Sequence, residues 1–496
     1  MKKFTTIAIL TAMLVSLAAC GESAGTSQAN DTNSIETPPP ETTSRFVSDD
    51  LPDDLDFGGK TVTWFVGDYN SAYWDDMYAE TENGSRVNDA VYHTRQAVEE
   101  RLNVKFEYYR KQVDYDHRSE IDNEIMRSVM AADGTYDIYV GRNLIQLMLQ
   151  DDFLMDLSDN KYLNFSKPWW NQSQLDMMPG DQVYVASGDG TLSIIKHTYC
   201  TFFNGTQLKK YGINDDMYEL VDSGKWTVDK LAEYAKMGYA DVNGNTEVDY
   251  GDEFGLTFGD QNKYIGMQFG AGGECIVKGK DSYELVCGTE QMVNIFNKFY
   301  NLVHNTEGVL LPGVNNADNT LAVMAFGGNY ADKSFIENRA MFTFSLVGDA
   351  AAILAEADFE YGLLPYPKYD EAQENYVSTP QRNAFFALLP YCDPDLSGAV
   401  LEAWSSEAYR TIQPEYFETT LKARYSADDK MAAVFDLLRA TTRYEIGEYF
   451  TQQLNSIPSE FKNLIRDEKE GQWASNYASK EEGWNNTLTE IWETLS

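Results

Sequence analysis

The chain is poor in cysteine and histidine. Its 496 residues hold five Cys and four His. No two Cys form a CxxC pair and no HExxH occurs, which excludes zinc and redox centres built on those spacings. Positive charge is also scarce: 39 Lys+Arg stand against 78 Asp+Glu, a formal net charge of -39. Nucleic acid and polybasic adhesion to a membrane surface both need clustered cations, so neither is expected as a partner. A GxGxxG after the first strand and a GxSxG are missing, which argues against a dinucleotide site and a hydrolase nucleophile elbow. Past the first twenty positions no unbroken apolar run approaches the ~20 residues of a membrane helix. There is no internal repeat.

What is present suffices for large cores. Hydrophobic residues make up 43% and aromatics 13%, with 32 Tyr and 9 Trp. The length suggests two or three domains. Lys2 and Lys3 followed by the uncharged stretch Phe4 to Ala19 read as a secretory signal. Leu17-Ala18-Ala19-Cys20 resembles the bacterial lipobox, which implies cleavage before Cys20 and a diacyl lipid on its thiol. Residues 21 to about 50 are rich in Ser, Thr, Gly, Pro and acid, and read as a polar tether.

The folded part opens as an open α/β pattern. Thr61–Val66, Val104–Tyr109 and Tyr136–Val140 are β-branched and aromatic and read as strands. Val87, Ala90, Val91, Thr94, Ala97, Val98 and Leu102 mark one helical face between the first two strands; residues 119–132 form the next helix. This alternation predicts a parallel sheet whose ligands bind beyond the carboxyl ends of the strands, at Gly67–Trp74 and Gly141–Leu144. Leu192–Phe203 reads as one long extended stretch, and Thr227 as the N-cap of a helix. Cys275 and Cys287 flank a hairpin and are either a disulfide or two free thiols.

The loop Asp241–Asp252, DVNGNTEVDYGD, carries oxygen side chains at positions 1, 3, 5, 9 and 12 through Asp241, Asn243, Asn245, Asp249 and Asp252. Glu247 stands at position 7, where a backbone carbonyl coordinates in calcium loops. Thr246 occupies position 6, normally glycine. The loop is either a structural calcium site or a solvated acidic turn.

Taken in order, these features resemble the substrate-binding lipoproteins of sugar-type ABC importers, with the maltose-binding architecture. The resemblance rests on the lipobox, the tether, Tyr136-Asp137-Ile138, Phe203-Asn204 with a helix ending at Tyr211-Gly212, Trp226-Thr227, Asn338-Arg339-Ala340-Met341 and Gly362-Leu363-Leu364-Pro365. It implies a two-lobed α/β periplasmic-binding-protein-like fold with a helix-rich C-terminal region. Residues 1–19 would be the signal and 20–54 the lipidated tether. Lobe one would take 55–200 plus 384–412, and lobe two 201–383 plus 413–496. The implied crossings are Tyr199–Asn204, Thr379–Ala384 and the stretch around Pro414. The implied protein is a monomer on the outer face of the bacterial cytoplasmic membrane, held there by its lipid alone. It would capture an oligosaccharide and pass it to a permease, with no chemistry of its own. A glycan-degrading enzyme and a peptide- or signal-binding receptor are the rival readings.

Sugar sites pair aromatic faces with planar polar groups. The expected ligand contacts are therefore Tyr69, Trp74, Arg142, Asn143, Tyr199, Gln381 and Arg382. Trp169-Trp170 is expected as a packed lobe edge more than a cleft wall.

Overall fold

The structure is a computed structural model. It describes residues 47–496 apart from 115, 143, 151, 250, 312–321, 325–329, 352–356, 421–428 and 456. Its strands are, in chain order, β1 Lys60–Tyr69, β2 Val104–Val113, β3 Ile138–Gly141, β4 Tyr199–Asn204, β5 Phe254–Phe258, β6 Ile276–Lys278, β7 Tyr283–Leu285, β8 Ala322–Met324, β9 Tyr330–Asp332, β10 Ala340–Leu346, β11 Tyr361–Leu364 and β12 Phe385–Leu388. Two four-stranded sheets organise the chain, ordered β12-β3-β1-β2 and β11-β4-β10-β5.

The first sheet is the core of lobe one. β1, β2 and β3 run parallel, and β12 returns antiparallel to β3. Between β1 and β2 lies the helix Arg86–Leu102, which buries Ala90, Val91, Thr94, Val98 and Leu102 and ends where Asn103 turns left-handed at φ 48. The helix Ser119–Ala131 connects β2 to β3. The expected strand–helix–strand–helix–strand order is thus present. β1 is longer than expected, because Gly67 and Asp68 continue it instead of breaking it. A Cβ on Gly67 would stand 2.5 Å from the Tyr139 hydroxyl, so glycine is needed here for close packing rather than for a turn. Fully buried Asp68 accepts the Tyr73 and Trp74 amides (3.0 and 3.3 Å) and pairs with Arg110.

The second sheet is the core of lobe two. β10 runs parallel to β5 and antiparallel to β4, which also pairs antiparallel with β11. All seven residues of β10 are buried, as a strand covered on both faces requires. Trp226 is fully buried against Phe342 at 5.4 Å, and its indole donates to the Pro365 carbonyl at 2.9 Å. Burial of such a side chain contributes about 2–3 kcal/mol. Thr227 caps the helix Val228–Met237 by accepting from the Lys230 amide, as its sequence position predicts.

Two expectations are corrected. Ser193–His197 forms a helical turn inside the stretch expected to be extended, and the strand begins only at Tyr199. The turn is stabilised locally: Thr191 Oγ1 accepts from the Ser193 amide, and the Thr198 hydroxyl donates to the Ile194 carbonyl at 2.9 Å. The crossing expected around Pro414 falls inside the helix Ile412–Thr420, which packs on Arg86–Leu102 in lobe one.

The segments joining the lobes are hydrogen-bonded to one another. The Tyr199 amide donates to Thr379 at 3.1 Å and the Gln381 amide to His197 at 2.9 Å. A third segment lies alongside, with Ser378 donating to Thr441 and Arg443 to Ser378. The chain after Asp429 is helical for most of its length, ending in Trp473–Leu495 with Trp484, Leu488, Ile491 and Leu495 buried. Among the described residues no helix is long and apolar enough to cross a membrane.

Candidate functional site

The carboxyl ends of β1 and β3 and the joining segment Thr379–Asn383 face a cavity of about 670 Å³. Tyr69 ends β1, Arg142 follows β3, and Gln381 and Arg382 come from the joining segment. Lobe two closes the far side with Asn262, Glu448 and Lys462. This volume suits a small oligomeric ligand. A second opening shares Arg142, Gln381, Arg382 and Glu448 with it and extends it toward Tyr444.

Four of the expected contacts, Tyr69, Arg142, Gln381 and Arg382, therefore meet around one space. The two guanidinium groups stand over the same Tyr69 ring, 5.8 Å (Arg142) and 5.5 Å (Arg382) from its centroid. That ring is 3% exposed, so it acts as a platform for the arginines more than as an open stacking face. Gln381 is 6% exposed, and its buried Oε1 has no hydrogen-bond partner among the described residues. An unpaired buried acceptor of this kind is costly unless something supplies a donor.

Three expected contacts fall elsewhere. Trp74 is half-buried, its ring taken up by Tyr78 at 4.8 Å and by the Arg110 guanidinium at 5.1 Å. Tyr199 is buried in lobe two beside Tyr366 at 5.7 Å, and its hydroxyl donates to the Asn262 carbonyl at 3.2 Å. It supports the cavity rather than lining it, because the first residue of β4 points into the sheet's packing. Asn143 lies outside the described residues.

Sequence reasoning missed Asn262, Glu448 and Lys462. Burial pushes the Glu448 carboxyl up to about 7, against the opposing pull of Arg142, Lys462 and Arg382. Burial lowers the Lys462 ammonium, which donates to Asn262 Oδ1 at 3.2 Å. Nothing local in the sequence marks these residues: Asn262 precedes the mid-chain helix Lys263–Gly270, and Glu448 and Lys462 arrive from C-terminal helices folded back onto the cleft.

Trp169 and Trp170 are buried as a lobe edge, and the Trp170 indole donates to Glu402 at 3.0 Å. Both also border a separate cavity of about 660 Å³. Cys275 and Cys287 are buried free thiols flanking the β6–β7 hairpin.

The loop Asp241–Asp252 is a tight coil of side-chain-to-backbone bonds. Asp241 accepts the Gly244 and Thr246 amides at 2.7 and 2.9 Å, and Asn245 accepts the Glu247 amide at 2.8 Å. Thr246 takes the left-handed conformation at φ 65 that glycine normally supplies at this position. Asp252 is fully buried; its Oδ2 accepts the Asp249 amide and its Oδ1 has no partner among the described residues. The Asn243 and Asn245 amides donate to Asp249, at 2.9 and 2.6 Å. Among the described residues no group of three or more His, Cys, Asp and Glu is gathered as a metal cage.

No protein-family model and no curated protein sequence matches the chain. Solved structures do. A sugar transporter protein from Rhizobium etli, in an open conformation, superposes with a TM-score of 0.55 at 11% identity, over 88% of this chain and 98% of its own. An ABC substrate-binding protein from Listeria monocytogenes in complex with cycloalternan gives 0.53 at 11% identity, over 87% and 99%. The cyclic alpha-maltosyl-1,6-maltose binding protein from Arthrobacter globiformis gives 0.51 at 12%, over 88% and 99%. At these identities the likeness establishes the fold: a two-lobed solute-binding architecture, spanned almost end to end.

Proposed function

We propose that the chain is a carbohydrate receptor of an ABC importer, which captures an oligosaccharide between its lobes and delivers it to a permease. The observation that carries this reading is the cavity at the carboxyl ends of the lobe-one strands, closed by lobe two and holding the unpaired acceptor Gln381 Oε1. The carbohydrates bound by the Listeria and Arthrobacter proteins of the same fold support the substrate class.

Capture needs no bond to be made or broken. A sugar whose hydroxyls donate to Gln381 and accept from the arginines on one side and from Lys462 on the other binds both lobes at once, and so favours the closed arrangement by its extra affinity for it. Among the described residues the cavity wall carries Glu448, and its extension toward Tyr444 adds Glu445, whose oxygens already accept the Cys275, Ile276 and Glu448 amides. Glycoside hydrolysis ordinarily uses two carboxylates facing one bond, so the wall favours binding over cleavage. Small-angle scattering tests the reading: the radius of gyration falls when a bound oligosaccharide is added, and an unchanged radius with a bound sugar contradicts closure.

The addressing signals belong to the same proposal. Cys20 carries the diacyl anchor, the tether holds the lobes off the outer face of the cytoplasmic membrane, and the permease meets the closed form. Calcium is proposed for the loop Asp241–Asp252. Asp241, Asn243, Asn245, Asp249 and Asp252 would hold it with the Glu247 carbonyl, once the two Asn amides turn their oxygens inward. The unpaired Asp252 Oδ1 and the left-handed Thr246 support this fit. The ion would supply a rigid closure of the loop and no chemistry.

A further inference from the structure

The cavity inverts the charge of the chain. Acids outnumber bases two to one overall, 78 to 39. Among the described residues the cavity wall instead presents Arg118, Arg142, Arg382 and Lys462 against Glu448, with Glu445 added only in the extension toward Tyr444, where it accepts the Cys275 and Ile276 amides. These four cations come from four different parts of the chain, and all are half-buried. Asp260 does not line the wall; it accepts the Asn262 amide at 2.7 Å and lies 3.5 Å from Lys263. Among the described residues neither Arg142 nor Lys462 has a carboxylate within 4.0 Å. Gathering like charges in a partly desolvated space opposes folding unless a bound anion offsets it. A neutral sugar would leave that cost standing.

Building on the carbohydrate reading, we infer that the captured sugar is acidic: a uronate-containing oligosaccharide whose carboxylate lies between Arg142, Arg382 and Lys462. A planar carboxylate fits the guanidinium fork and accepts two parallel hydrogen bonds from it, which are the stronger, charge-assisted kind. Tyr69 holds both forks in place from one side. Gln381 Oε1 cannot bond an ionised carboxylate, so it takes a neighbouring sugar hydroxyl.

The test is calorimetric titration of the folded chain with oligogalacturonate, alginate and chondroitin-type oligomers, each beside its carboxyl-reduced counterpart, together with a sulfated oligosaccharide, maltotriose and short peptides. The expected result is that one uronate oligomer binds about tenfold to a hundredfold more tightly than its reduced form. Arg142→Gln and Lys462→Met should each remove most of that margin, and each should lower the melting temperature of the unliganded protein by no more than about two degrees. A fall of several degrees in both unliganded variants would make these cations structural and overturn the inference. Equal binding of charged and reduced forms, preference for maltotriose, preference for the sulfated sugar, or failure of every uronate would also overturn it while leaving the carbohydrate reading intact. Binding of peptides alone would overturn both.

Discussion

Arg142 and Arg382 converge on the ring of Tyr69, one from the end of β3 and the other from the segment that joins the lobes. The ring is therefore a mechanical link between lobe one and the joining segment. Tyr69→Leu removes two cation–π contacts, worth about 1 kcal/mol each. The expected outcome is a loss of ligand affinity of about tenfold with a small drop in melting temperature, and near-normal binding in Tyr69→Phe. Equal affinity in Tyr69→Leu would show that the arginines are positioned by something else.

Glu402 makes the protein's stability depend on pH. It is fully buried, accepts from the Trp170 indole, and has an Oε1 with no partner among the described residues. Burial pushes its carboxyl from 4.5 up to about 7. A raised folded pKa contributes stability that is complete below the unfolded value and lost as pH rises through the folded one. Asp122, Asp332 and Glu445 are also pushed by burial to about 7 and act in the same direction. The melting temperature should therefore fall between about pH 4.5 and pH 7.5. Glu402→Gln should show a shallower fall, gaining about 2 kcal/mol on the wild type across that range. Parallel pH profiles for the two proteins would refute the assignment.

Calcium binding is tested by stability and not by ligand affinity alone. Calcium in excess should raise the melting temperature by a few degrees, EDTA should reverse it, and Asp252→Asn should abolish the response. A wild-type midpoint unmoved by calcium or EDTA would leave Asp241–Asp252 as a solvated turn.

Cys200, Cys275 and Cys287 are buried, and burial raises the thiols of Cys200 and Cys275 well above their usual range. In the chain from Val47 onward a thiol reagent at pH 8 should react with Cys392 at most, and with all four thiols after denaturation. Two reactive thiols after denaturation would mean that Cys275 and Cys287 are bonded.

The sequence makes most of lobe one legible. Thr61–Val66, Val104–Tyr109 and Tyr136–Val140 read as strands because β-branched and aromatic residues crowd them, and the structure builds β1, β2 and β3 there. The same logic fails at Ser193–His197, where local hydroxyl bonds outweigh the extended preference of isoleucine pairs. Arg142, Gln381 and Arg382 can be found because they flank strand ends and a crossing. Trp74 and Tyr199 show the opposite case: an aromatic beside a cleft loop has the same sequence signature whether it stacks on a ligand or on Tyr78 or Tyr366. Glu448 and Lys462 reach the cleft through tertiary folding of C-terminal helices, for which the sequence carries no local pattern.

The central claim is that the cleft captures a carbohydrate and returns it unchanged. Its most direct measurement is a melting-temperature screen of the chain from Val47 onward against oligosaccharides and peptides, with recovery of the ligand afterwards. A ligand at a hundredfold over its dissociation constant adds about 2.7 kcal/mol. The account predicts that one carbohydrate class raises the midpoint by several degrees and is recovered intact. A cleaved glycan, or a shift with peptides and none with any carbohydrate, would contradict it.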